Sequence, residues 1–149
     1  MEPFLDENNL HSQYKNAIIE VMKEEPYAKF LGIKLIEIGP GSASAELEIS
    51  DFMLNAHGTV HGAIIFAIAD YVFEAASKSY GKSAVALSNT IHFMAAVTNG
   101  TTLKASANEE KKSNRIAWYK IQIKSNDELI ATMEGVAYRK NDYFVTVNR

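Results

Sequence analysis

The run of residues 63–76 constrains this chain most, because it is apolar on nearly every face yet carries Asp70 at its centre. Its length and alanine content favour a helix over a strand. A helix apolar all round must be buried all round, so the rest of the chain has to enclose it. Gly81 stops the pattern, and the run is too short and too interrupted by Asp70 to cross a bilayer.

The enclosing material reads as strands. Residues 34–38, 43–49, 83–94, 101–108, 116–124 and 129–139 alternate or are rich in small and β-branched side chains. Gly39-Pro40-Gly41, Thr98-Asn99-Gly100, Lys111-Lys112-Ser113-Asn114 and Ser125-Asn126-Asp127 are short polar connections suited to antiparallel hairpins. Ahead of them, Tyr14, Ala17, Ile18, Val21 and Met22 recur at helical spacing over residues 8–25 and stop near Pro26, and residues 27–31 add a short helical turn. The expectation is an α+β fold: one domain over residues 1–149, a curved antiparallel sheet around a central helix at about 60–80, and a helical extension over about 1–26.

Composition excludes several functions. The chain has no cysteine, which removes thiolate catalysis, disulfides and thiolate-held zinc or iron–sulfur clusters. A net charge of -3, from 15 basic and 18 acidic residues, argues against a nucleic-acid partner. The acidic, polar first residues read as neither a secretory nor a transit signal, so a cytoplasmic protein without a membrane partner is expected.

Burying an unpaired carboxylate costs several kcal/mol or raises its pKa until it is neutral. Asp70 therefore either has a partner on a neighbouring strand, faces a cleft, or belongs to an active site. Asn55-Ala56-His57-Gly58-Thr59-Val60-His61-Gly62 lies just ahead of the helix. Gly62 falls in the first helical turn, where N–H groups lack intrahelical partners and the dipole favours negative charge. A glycine there lets a ligand approach the backbone, as an oxyanion hole requires. Eight residues along a helix span about 12 Å, however, so one reacting carbonyl cannot touch both Gly62 and Asp70. If both serve one site they come from different subunits, which predicts an obligate dimer with two equivalent sites.

Asn55-x-His57-Gly58-Thr59-Val60-His61-Gly62 followed by Ile68-Ala69-Asp70 resembles the signature of phenylacetate-degradation-type hotdog thioesterases, in the wider group that includes 4-hydroxybenzoyl-CoA thioesterase. The resemblance spans about residues 27–139 and includes Lys29-Phe30-Leu31-Gly32-Ile33, Thr90-Ile91-His92-Phe93 and Gly100-Thr101-Thr102-Leu103-Lys104-Ala105. It implies the hotdog fold and hydrolysis of an aromatic or medium-chain acyl-CoA to free acid and CoA. Asp70 would be nucleophile or general base, and Gly62 would polarise the thioester carbonyl with His61 beside it. Asn55 would position water or the thioester, and Asn55, His61 and Gly62 would face Asp70 across a homodimer interface, within a dimer of dimers. No cofactor is implied, since coenzyme A belongs to the substrate.

The chain departs from that pattern at Ala63, where a second glycine is usual, and at Ala95-Ala96, where Arg-Pro is usual. Some relatives hold water with a strand serine. The aligned position here is Ala86, with Ser88 two residues on and expected on the same face. Ser88, Glu74 and His57 are the candidate substrate contacts. Glu74 is otherwise a partner for a strand lysine, and a metal on His57 and His61 lacks a supporting motif. Lys111, Lys112, Asn114 and Arg115 form either a solvated turn or a basic edge for the phosphates of coenzyme A. Of Trp118 and Tyr119, at most one faces the helix. The alternative functions are a non-catalytic acyl-CoA-binding regulatory module and a hotdog dehydratase or hydratase.

Overall fold

The computed structural model describes residues 6–146, so expectations for the first five and last three residues lie outside it. Asp6 caps α1 (Glu7–Lys23) by accepting the N–H of Asn8 at 3.1 Å. Leu10, His11, Ile18 and Met22 form the buried face of this helix, while Ala17 and Val21, which share its apolar spacing, point outward. Pro26 occupies the first turn of a separate short helix, α2 (Pro26–Leu31), where its missing N–H costs nothing.

The strands are β1 (Lys34–Gly39), β2 (Ser42–Glu48), β3 (Lys82–Phe93), β4 (Thr102–Lys112), β5 (Ile116–Ser125) and β6 (Glu128–Tyr143). They make one antiparallel sheet in the order β1-β2-β4-β5-β6-β3, which leaves β1 and β3 as edges. Asn126 and Asp127, at φ 50° and 64°, close the β5–β6 hairpin in the left-handed conformation that such two-residue turns require. Both β4 and β6 run past their expected ends. In β4 an irregularity between Glu109 and Lys111 breaks the two-residue alternation on which the sequence reading depended.

The third helix, α3 (Gly62–Ser77), lies across the sheet and packs against all six strands. Ile68, Val72 and Phe73 meet Leu103, Tyr119, Ile121, Ile123 and Met133 in a fully enclosed core. Each such side chain contributes about 1.5–3 kcal/mol through burial. Phe73 and Tyr119 meet edge to face with centroids 5.5 Å apart, and Trp118 faces away from the helix. This is the hotdog arrangement that the apolar helix demanded, a sheet enclosing one buried helix.

The N-terminal helix is fastened at the far end of the sheet from the α3 N-terminus. Glu7 pairs with Lys112 at 2.5 Å and with the buried Arg139, and the Lys112 ammonium sits 3.7 Å from the centre of the Tyr80 ring. Lys112 is thus neither a solvated turn residue nor a free basic edge; it holds α1. Arg115 is exposed, as are Lys111 and Asn114, and it donates to the Tyr138 hydroxyl at 2.9 Å. Among the described residues, no helix is long and apolar enough to cross a membrane.

Candidate active site

Two clusters flank α3. The first is the loop leading into the helix. Asn55 Oδ1 accepts the N–H groups of His57 at 2.9 Å and Thr59 at 3.2 Å, and Asn55 Nδ2 donates to the Thr59 hydroxyl at 2.9 Å. The Asn55 N–H donates to Thr59 O at 2.7 Å, and Gly58, at φ 77°, completes the tight turn. Asn55 is therefore engaged within its own loop, and His57 projects from it, exposed. His61 N–H donates to Met53 O and Val60 N–H to Val97 O, each at 2.8 Å, anchoring the loop's return to the body.

His61 enters α3 at φ −62°, ψ 136°, and its Nδ1 accepts the Ala63 N–H at 2.9 Å. Ile64 N–H and Ile65 N–H donate to His61 O. The Gly62 N–H is left without a protein partner among the described residues, at the positive end of the helix. The Phe93 ring lies beside Gly62, 3.4 Å from where a Cβ would stand. That N–H can donate to an oxygen bearing developing negative charge, and the positive helix end stabilises it.

The second cluster surrounds Asp70, two helical turns along. Asp70 is half-buried between the fully buried Ala69 and Tyr71. Burial pushes its carboxyl above the usual range, the Glu74 carboxylate adds to that push, and a hydrogen bond from Asn89 and the charge of Lys78 oppose it. Asn89 Nδ2 lies 3.5 Å from Asp70 Oδ1. Glu74 pairs with Lys78 on its own helix at 2.5 Å, and not with a strand lysine. Its other neighbour is Glu25, from the junction of α1 and α2, whose carboxyl is pushed up to about 7 by burial and by the hydrogen bond and charge of Glu74. Tyr71 ties this junction to α3 by donating to Met22 O at 3.1 Å.

The structure brings Asp70, Glu74 and Asn89 together, and separately Asn55, His57, His61 and Gly62. Ser88 joins neither group. Between Ala86 and Ser88 the β3–β6 register slips by one, so Ala86 faces Ala137 but Ser88 faces Val136. Ser88 therefore lies on the other side of the sheet from Ala86, exposed, and the expectation of a shared face is corrected. The same slip turns Asn89 inward. Sequence reasoning missed Asn89, Glu25 and Phe93, and only Glu25, a charge beside a helix-starting proline, left any signal. Among the described residues, no group of three or more His, Asp or Glu is placed to hold a metal ion.

Comparison with known proteins agrees with this architecture. The family model for the thioesterase superfamily matches residues 57–132, from His57 across α3 and into β6. A putative esterase of Archaeoglobus fulgidus is 35% identical over 136 residues, covering 87% of this chain and 88% of that protein. The acyl-coenzyme A thioesterase PaaI of Escherichia coli is 32% identical over 132 residues, covering 88% and 89%. The solved structure of the E. coli PaaI protein from the phenylacetic acid degradation operon superposes with a TM-score of 0.83 at 29% identity, covering 91% of this chain and 97% of that one.

Proposed function

The chain belongs to the thioesterase superfamily, and we propose that it hydrolyses an acyl-CoA thioester to a free acid and CoA. The observation that carries this reading is the pairing, on one helix, of an unpartnered N-terminal N–H at Gly62 with a half-buried carboxylate at Asp70. The E. coli relative's name supplies the acyl-CoA substrate, with aromatic and medium-chain acyl groups the first to test.

In the proposed mechanism the thioester carbonyl oxygen accepts the Gly62 N–H, and the helix dipole stabilises the oxyanion as the tetrahedral intermediate forms. Asp70 either takes a proton from the attacking water or attacks the carbonyl carbon itself, giving an anhydride that water then opens. In both routes the C–S bond breaks and CoA leaves as the thiolate, which takes up a proton. Asn55 serves by holding the loop and His61 by capping the helix, so both fix where the Gly62 N–H points. Glu74 acts through its charge on Asp70, and His57 stands at the exposed mouth of the loop as a contact for the incoming ester.

About 12 Å of helix separates Gly62 from Asp70, so the working site takes one group from each of two chains. Strand β3 supports the way they meet. It is a 12-residue edge with Val85 46% and Leu87 57% exposed, and an exposed apolar edge is a template for pairing with a second copy. The deciding experiment follows free thiol release from a panel of acyl-CoA esters with wild type, Asp70→Asn and Asp70→Ala. Turnover by wild type and its loss in both variants is the expected result; full activity in both variants would overturn the assignment of Asp70.

A further inference from the structure

We propose that Asn89 is a positioning residue for the reaction, its side-chain amide holding the Asp70 carboxylate in the orientation in which it works. The inference rests on the reading of Asp70 above and adds to it a residue from β3 that the reaction needs.

Three features place the amide there. The register slip at Leu87 reverses the facing of β3, so that Asn89 pairs with Gly135 on the side that meets α3. Gly135 then makes room for it. A Cβ at position 135 would stand 2.8 Å from the Phe73 ring and 3.0 Å from Asn89 Oδ1. Finally, Asn89 Oδ1 is buried and has no hydrogen-bond partner among the described residues, while Nδ2 is directed at Asp70 Oδ1 at 3.5 Å.

An unpartnered buried carbonyl is destabilising, and an apolar side chain of the same size would fit that space more cheaply. The amide is therefore better explained by its N–H₂ group than by packing. Its 3.5 Å separation is long for a hydrogen bond, as catalytic bonds often are before substrate is bound. A donor at this position favours the ionised carboxylate, which is the form that acts as base or nucleophile. It works together with Lys78 and against the carboxyls of Glu74 and Glu25, the other charged groups around Asp70.

The test is Asn89→Leu, with Asn89→Ala as a second variant should leucine prevent folding, measured beside Asp70→Asn on one aromatic and one medium-chain acyl-CoA. The expected result is a roughly tenfold or larger fall in kcat with KM little changed, and an acidic limb of the kcat/KM profile displaced to higher pH. Thermal stability of the leucine variant should be little changed, because losing the buried unpartnered carbonyl offsets losing the donor to Asp70. A folded variant with kcat within about twofold of wild type and an unmoved acidic limb overturns the proposal. A fall in stability with no change in the pH profile also overturns it, since that is what a packing role predicts. Retention of activity in Asp70→Asn removes the reading of Asp70 instead, an outcome distinct from both.

Discussion

His61 Nδ1 accepts the N–H of Ala63 at 2.9 Å, so the imidazole caps α3 and carries its ring proton on Nε2. The residue that the family resemblance places beside the carbonyl is thereby committed to the helix start. Replacing His61 with alanine should cost about 1 kcal/mol of stability through the lost cap. Serine or asparagine at 61 restores a capping oxygen and should recover that loss. If His61 matters to the reaction only as the cap, the same substitutions recover turnover, and parallel melting and thiol-release assays on the variants separate the two roles.

Gly62→Pro removes the proposed oxyanion donor. Proline is favoured at the first helical position, and the residue before it must be extended, which His61 already is at φ −62°, ψ 136°. The substitution thus removes the N–H and leaves the backbone path intact. The expected outcome is a loss of about 10²–10³-fold in kcat with a native-like melting transition. A folded variant with wild-type kcat would show that the Gly62 N–H does not bind the carbonyl.

Part of the placement of the candidate residues was legible in the sequence, and what was not escaped it for two different physical reasons. The apolar run 63–76 required an enclosed helix, and α3 is that helix. The placement of Asn55 and Thr59 in the loop and of Gly62 at the helix start was readable because it is local, set by neighbours within a few positions. Asn89 was not, because one extra residue at Leu87 inverts which side chains of β3 face the helix, and alternation cannot show where a bulge falls. Lys112 was misread for a different reason. Its partner Glu7 lies more than a hundred residues away, and a charge beside a turn looks solvated until the chain folds back on it.

Glu7 should make the protein acid-sensitive. Burial alone would raise its carboxyl, but the bonds from Lys112 and Arg139 outweigh that and hold it below its usual value. A depressed carboxyl contributes stability that is present above the unfolded value of 4.5 and lost as pH falls through the folded one. Glu7→Gln should therefore lower stability at pH 7 by about 2–4 kcal/mol, since Arg139 is left buried without its counter-charge. The difference from wild type should close toward pH 3, and melting curves across that range check it.

Glu25 has the opposite sign. Its carboxyl is pushed up to about 7, first by burial and then by Glu74, so the folded chain holds a proton that the unfolded chain releases near 4.5. Stability is lost as pH rises between those values and levels off above them. Glu25→Gln keeps the group neutral, so the variant should match wild type near pH 4.5 and be more stable at pH 8 by about 1 kcal/mol after solvent screening. A variant less stable than wild type at pH 8 would mean that the ionised Glu25 is itself held by a partner.

The proposal that two chains share each site can be tested by mixing variants. Gly62→Pro lacks the oxyanion donor and Asp70→Asn lacks the carboxylate, so each homodimer is inactive on the present reading. In a heterodimer of the two, one site combines both defects. The other takes Gly62 from the Asp70→Asn chain and Asp70 from the Gly62→Pro chain, and is intact. Random re-pairing makes half the dimers mixed, each with one of two sites working, so co-refolding equal amounts should restore about a quarter of wild-type activity. If Gly62 and Asp70 of one chain served the same carbonyl, no mixture would restore anything. The helix geometry speaks against that case, because Gly62 and Asp70 lie at the start and the middle of one continuous 16-residue helix.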